Sequence, residues 1–118
     1  MLNNVILQGY LTNDVELKQT TNGISVCTFS LGVKKNFKNS NGVYPTDFIE
    51  CSAFRTTAEF ICRNFKKGQQ IIVCGALDTD TYEKDGVKRK VTRVDVSNVF
   101  FCSSKNDEKE PEESSLPY

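Results

Sequence analysis

Histidine and tryptophan are absent from this chain of 118 residues, methionine occurs once and proline three times. The lack of histidine removes the commonest general acid-base group and the partner needed for a Cys-His couple or a mixed zinc site. Five cysteines, at 27, 51, 62, 74 and 102, include no C-x-x-C pair. Neither a metal nor any other cofactor is therefore expected, and no nucleophile-base spacing or phosphate-cradling glycine loop points to an enzyme. Cys27, Cys51 and Cys62 occupy positions that alternation marks as apolar, where a reduced thiol serves as a small hydrophobe. Nor does any apolar run approach the roughly 18 residues of a membrane span, and no signal-type leader opens the chain. A cytoplasmic protein is expected.

Charge is missing only in the sum. Residues 1–105 carry 14 Lys and Arg against 10 Asp and Glu, whereas residues 106–118 carry one Lys against five acids. A basic body of +4 is thus joined to an acidic segment of −4, an asymmetry suited to a polyanion-binding domain with an interaction tail. Length and hydrophobic content fit one compact domain over residues 1–103.

The body reads as successive strands. Asn22-Gly23, Asn41-Gly42 and Asp85-Gly86 lie between runs rich in β-branched residues and mark hairpins. Strands are predicted over 4–12, with a bend or close backbone approach at Gly9, then over 15–18, 24–35, 48–54, 70–82 and 88–101. One helix is expected between the third and fourth long strands. Thr56-Thr57-Ala58-Glu59 has capping-box form, Ala58, Ile61, Cys62 and Phe65 make an apolar stripe, and Gly68 supplies a stop. Long strands, a glycine-interrupted first strand and a single helix in that place predict an all-β fold with one helix: a five-stranded barrel of the OB type with extended hairpins.

Period-2 counting places Ile49, Cys51 and Ala53 on one side and Phe48, Glu50, Ser52 and Phe54 on the other. The same count puts Leu77 with Ile71 and Val73, and Tyr82 with Asp78 and Asp80. Phe48, Phe54 and Tyr82 therefore interrupt polar faces. Rings so placed either stack on nucleic-acid bases, with basic residues nearby, or fill a second core or a subunit interface.

From Ser103 onward too few apolar groups remain to offset the entropy of ordering, so residues 104–118 are expected to be a disordered acidic tail. Its Glu112, Glu113, Leu116, Pro117 and Tyr118 combine acids with a small apolar plug, a pattern suited to a peptide ligand.

The order of motifs resembles the bacterial and bacteriophage single-stranded-DNA-binding proteins over residues 2–101. It includes Leu2-Asn3-Asn4-Val5-Ile6-Leu7-Gln8-Gly9-Tyr10-Leu11, Asp47-Phe48-Ile49-Glu50-Cys51, Phe54-Arg55, Phe65-Lys66-Lys67-Gly68 and Gly75-Ala76-Leu77. The resemblance implies sequence-independent coating of single-stranded DNA in replication, recombination and repair by a homotetramer. It further implies base stacking by Phe37, Phe48, Phe54 and Tyr82, and recruitment of replication and repair proteins through the tail. Phe37 rests on the resemblance, because alternation from Phe29 would turn it inward. Lys34, Lys35, Lys38, Arg55, Lys66, Lys67, Lys84, Lys88, Arg89 and Lys90 are the phosphate candidates. Three departures from the family stand out. Phenylalanine and tyrosine replace the tryptophans common at stacking positions, Asp78 and Asp80 replace basic residues beside Tyr82, and Leu-Pro-Tyr follows two serines where family tails run from acids directly into Ile-Pro-Phe. An OB-type assembly module and an RNA-binding OB protein are the competing readings.

Overall fold

The computed structural model describes residues 1–102. Six strands and one helix follow in the order β1 (Val5–Leu11), β2 (Lys18–Gln19), β3 (Ser25–Lys34), β4 (Thr46–Phe54), α1 (Arg55–Asn64), β5 (Gln70–Lys84) and β6 (Val87–Phe101). Five of them close a ring in the spatial order β1-β5-β6-β4-β3, with β3 returning to β1 through Tyr10 opposite Gly32 and Leu11 opposite Leu31. Every pairing in the ring is antiparallel except β4 with β6. This is the five-stranded barrel predicted above; β2 only extends the outer edge of β3.

Alternation decides what fills the barrel. Cys27, Phe29 and Leu31 on β3, Cys51 and Ala53 on β4, Ile71 and Val73 on β5, and Val94 and Val96 on β6 are all buried. Ala58, Ile61 and Phe65 bring the apolar stripe of α1 onto the same core, with Cys62 half-buried against it. All five thiols are free. Burial pushes the Cys27 thiol up to about 12, with the neighbouring Cys62 adding to the effect, and Cys51 up to about 12 as well. Desolvation disfavours the thiolate, so both groups behave as apolar filling.

Close contact explains Gly9. It has the inward parity of Leu7 and Leu11, and a Cβ there would collide with the Gly32 carbonyl and crowd the buried Leu31 side chain where β1 crosses β3. At the far end of the molecule, β5 and β6 run well beyond the barrel as a two-stranded hairpin. Asp85 and Gly86 both have positive φ, 55° and 78°, the requirement of a two-residue type I′ turn, and so fix Lys84 opposite Val87.

Four local expectations need correction. Thr56-x-x-Glu59 forms no capping box: α1 begins at Arg55 with Phe54 as its uncapped N-cap. The Glu59 carboxylate instead accepts the Ser25 hydroxyl at 3.1 Å, and the Thr57 hydroxyl donates to the Ser97 carbonyl at 3.3 Å. Tertiary partners on β3 and β6 win over the local cap. Leu77 shares the Ile71 face but is exposed, because β5 has left the barrel by then. Ser52 lies on the outward face yet is buried, because β4 is covered there on both sides, by Thr28 of β3 and Asp95 of β6. The strand expected over 15–18 shrinks to Lys18–Gln19, with Val15 only packing against the core edge.

Candidate nucleic-acid interface

Strand β4 presents the first part of the site. Phe48 is 64% exposed and Phe54 43%, six residues apart on one face and hence separated by about 20 Å. Phe48 lies opposite Gly32 and Phe54 opposite Val26. Since Gly32 carries no side chain, the Tyr10 ring from β1 lies over it; a Cβ would meet Tyr10 Cζ at 2.7 Å. Tyr10, Gly32 and Phe48 thus form one row across three strands. Tyr10 is absent from the sequence-based candidates, although parity with Ile6 and Gln8 on β1 would have placed it on the outer face. Lys34 follows from β3 on this same face.

The loop between β3 and β4 holds the second part. Strand β3 ends at Lys34, so the alternation that would have turned Phe37 inward no longer applies, and the ring is exposed. Asn39 organises the loop: its side-chain oxygen accepts the Asn41 and Val43 amides at 2.9 and 3.1 Å. Lys35 bonds Asp47 at 2.7 Å and lies 5.9 Å from the Phe37 ring centre. Lys38 stands 5.7 Å from Tyr44, an exposed ring that sequence reasoning missed because it lies in a loop with no periodicity.

On the β5–β6 hairpin the register sorts the remaining candidates. Directly paired residues in an antiparallel ladder project to the same side. Tyr82, 45% exposed, pairs with Arg89, and Lys84 belongs to the same face. Lys88 and Lys90 pair with Glu83 and Thr81 and project to the other face. Asp80 does not stand free beside Tyr82: its carboxylate accepts Arg93 Nη1 at 2.9 Å.

Arg55 joins β4 to α1 in the left-handed region, φ 59°, and is exposed next to Phe54. Lys66 and Lys67 lie in the turn before β5, where their backbone amides are taken by Gln69 Oε1 and Asp14 Oδ1. The tail candidates Glu112, Glu113, Leu116, Pro117 and Tyr118 lie outside the described residues.

The β4 part and the hairpin part form one outward surface. Strand β4 runs beside β6 with Ser52 next to Asp95, and β6 pairs with β5, so the face of Phe48 and Phe54 continues over Asp95 and Arg93 to Tyr82. The model of the single-strand binding protein family matches residues 2–102. The chain belongs to that family. It is 37% identical to single-stranded DNA-binding protein 3 of Streptococcus agalactiae over 97% of its own length and 83% of the relative's. Its identity to single-stranded DNA-binding protein A of Bacillus subtilis is 43%, over 90% of this chain but 62% of that protein. Among solved structures, the Plasmodium falciparum SSB complex with ssDNA superposes with a TM-score of 0.78, covering 87% of this chain and 96% of that one at 22% identity. That likeness establishes the shared OB-type fold. Among the described residues of this family member, no helix is long and apolar enough to cross a membrane.

Proposed function

We propose that this protein binds single-stranded DNA without sequence preference and coats it during replication, recombination and repair in the cytoplasm, without turnover. The observation that carries this reading is the continuous outward face holding Phe48, Phe54 and Tyr82 on an OB-type barrel of the single-strand binding protein family. Every base has a π-face, so rings on a rigid sheet hold a strand whatever its sequence. Lys34, Lys84 and Arg89 share that face, and Phe37, Lys38 and Arg55 flank it; these are our choice for stacking and phosphate contact. Lys88 and Lys90, on the reverse of the hairpin, would serve a strand that wraps around it.

The homotetramer implied by the family is supported by a second surface. Ile6 opposite Cys74 and Ile72 opposite Phe100 form an outward apolar patch on β1, β5 and β6. Beside it, β1 pairs with β3 only at Tyr10 and Leu11, so its residues 5–9 have an unpaired edge suited to strand addition by another copy. In this reading residues 104–118 recruit replication and repair proteins.

The test is a fluorescence-anisotropy titration of labelled oligo(dT), with duplex DNA and an RNA of equal length as competitors. Tight, salt-sensitive binding that neither competitor displaces is expected. Displacement by duplex would overturn the stacking reading in favour of an assembly module, and stronger displacement by RNA would transfer the function to RNA.

A further inference from the structure

Between the β4 rings and Tyr82 the outward face is acidic. Glu50, Asp78, Asp80 and Asp95 occupy it, and Arg93 stands among them directly opposite Asp78. Nearer the hairpin tip the same face carries Tyr82, Lys84 and Arg89. A strand that stacks on both Phe48 and Tyr82 must cross this acidic root, because β6 lies between β4 and β5.

We infer that Arg93 is a phosphate ligand and that Asp80 is its internal competitor, a carboxylate that holds the guanidinium in the free protein and gives it up to the phosphodiester of the bound strand. This inference rests on the single-stranded DNA reading above and extends it. Three observations support it. The pair is accessible, with the Asp80 side chain 59% and the Arg93 side chain 33% exposed, so an incoming anion can reach it. Carboxylate and phosphate offer a guanidinium the same paired-oxygen acceptor geometry, which makes the exchange chemically even-handed. Finally, Arg93 projects to the face of Tyr82 and Arg89, in line with the strand's course, and the Nη1 contact to Asp80 at 2.9 Å fixes it there. The departure that places acids beside Tyr82 therefore does not simply repel DNA. It holds a cation in readiness and sets the affinity below what the rings and bases alone would give.

Salt dependence separates this arrangement from a structural ion pair. Each phosphate contact to a single strand contributes about 0.7 to the slope of log affinity against log salt. The parent, Asp80→Asn, Arg93→Ala and Arg93→Lys are to be titrated with labelled oligo(dT) at several salt concentrations, with urea midpoints measured in parallel. Asp80→Asn is expected to tighten binding several-fold at low salt. Arg93→Ala should weaken binding and flatten the slope by about 0.7, and Arg93→Lys should keep the parental slope. An unchanged slope in Arg93→Ala, or unchanged or weaker binding in Asp80→Asn, overturns the inference while leaving the DNA-binding reading intact, provided the parent binds. A parent that fails to bind overturns both.

Discussion

Removing the Phe48 ring separates binding from folding more cleanly than any other change to this surface. With roughly 200 Å² for a phenylalanine side chain and 25 cal/mol per Å² of apolar area, the buried third of Phe48 contributes at most about 1.8 kcal/mol to stability. The more deeply seated Phe54 contributes at most about 3 kcal/mol on the same terms. Gly32 opposite Phe48 means that no cross-strand side chain loses its partner when the ring goes. Phe48→Ala should therefore remain folded with a slightly lowered urea midpoint. Its oligo(dT) affinity should fall by about 1–3 kcal/mol, the value of one stacked base, or roughly 5- to 150-fold. Stacking releases no counterions, so the salt slope should match the parent's. Anisotropy titrations at two salt concentrations, with urea unfolding of the same preparations, measure all three quantities. Parental affinity in Phe48→Ala, or a loss that vanishes at high salt, would refute the assignment of this ring to a base.

Other perturbations test other parts of the structure. Gly9→Ala should cost about 1–3 kcal/mol in urea unfolding, because its methyl group meets the Gly32 carbonyl and β1 must shift from β3; an unchanged midpoint would mean that the crossing is not close. Arg55→Gly and Arg55→Ala both remove a charge beside Phe54, but only alanine keeps a strained positive φ, so the glycine variant should be about 1 kcal/mol more stable than the alanine variant, and both should flatten the salt slope if Arg55 meets a phosphate. Equal urea midpoints would remove the strain argument. The buried thiols predict alkaline sensitivity: with folded values raised to about 12, Cys27 and Cys51 stay protonated in the fold while the unfolded chain ionises near 9. Their contribution is intact below about pH 9 and is lost as pH rises toward 12, by about 1.4 kcal/mol per thiol at pH 10. Cys51→Val should remove the Cys51 share of the pH 8 to pH 10 loss, about 1.4 kcal/mol, and an identical loss in parent and variant would exclude that thiol. Ile6→Lys should reduce the mass seen by light scattering without unfolding the barrel; an unchanged mass would remove this face from the assembly.

Much of this surface was legible because it obeys alternation within a single strand. Ile49, Cys51 and Ala53 faced one way, so Phe48 and Phe54 had to face the other, and no knowledge of neighbours was required. Alternation failed where burial depends on how far a neighbour extends. Leu77 has the parity of the core but lies past the barrel's rim, and Ser52 has the parity of the surface but is covered from both sides. The cap at Thr56 and Glu59 failed for a related reason, since Ser25 and Ser97 arrive from distant strands and a local motif carries no sign of them.

The Asp80 pairing is a different case, because its ingredients were in the sequence. A two-residue Asp85-Gly86 turn fixes Lys84 opposite Val87, and counting back along both strands brings Tyr82 to Arg89, Asp80 to Val91 and Asp78 to Arg93. That arithmetic divides the basic hairpin residues between two faces and sets Arg93 among the acids. It stops being valid only beyond Gly75, where Ser97 is the extra residue of a bulge and donates its hydroxyl to the Cys74 carbonyl. The bulge shifts pairing by one residue as the hairpin enters the barrel. Val94 and Val96 can then face the core on one side of it and Val99 on the other, while the Tyr82 face stays continuous with that of β4. A one-residue insertion into the turn would shift the pairing partner of every residue on one strand, replacing the Tyr82–Arg89 pair and carrying Arg93 away from Asp78. The short turn and the bulge together therefore determine which charges a strand meets on its way from Phe48 to Tyr82.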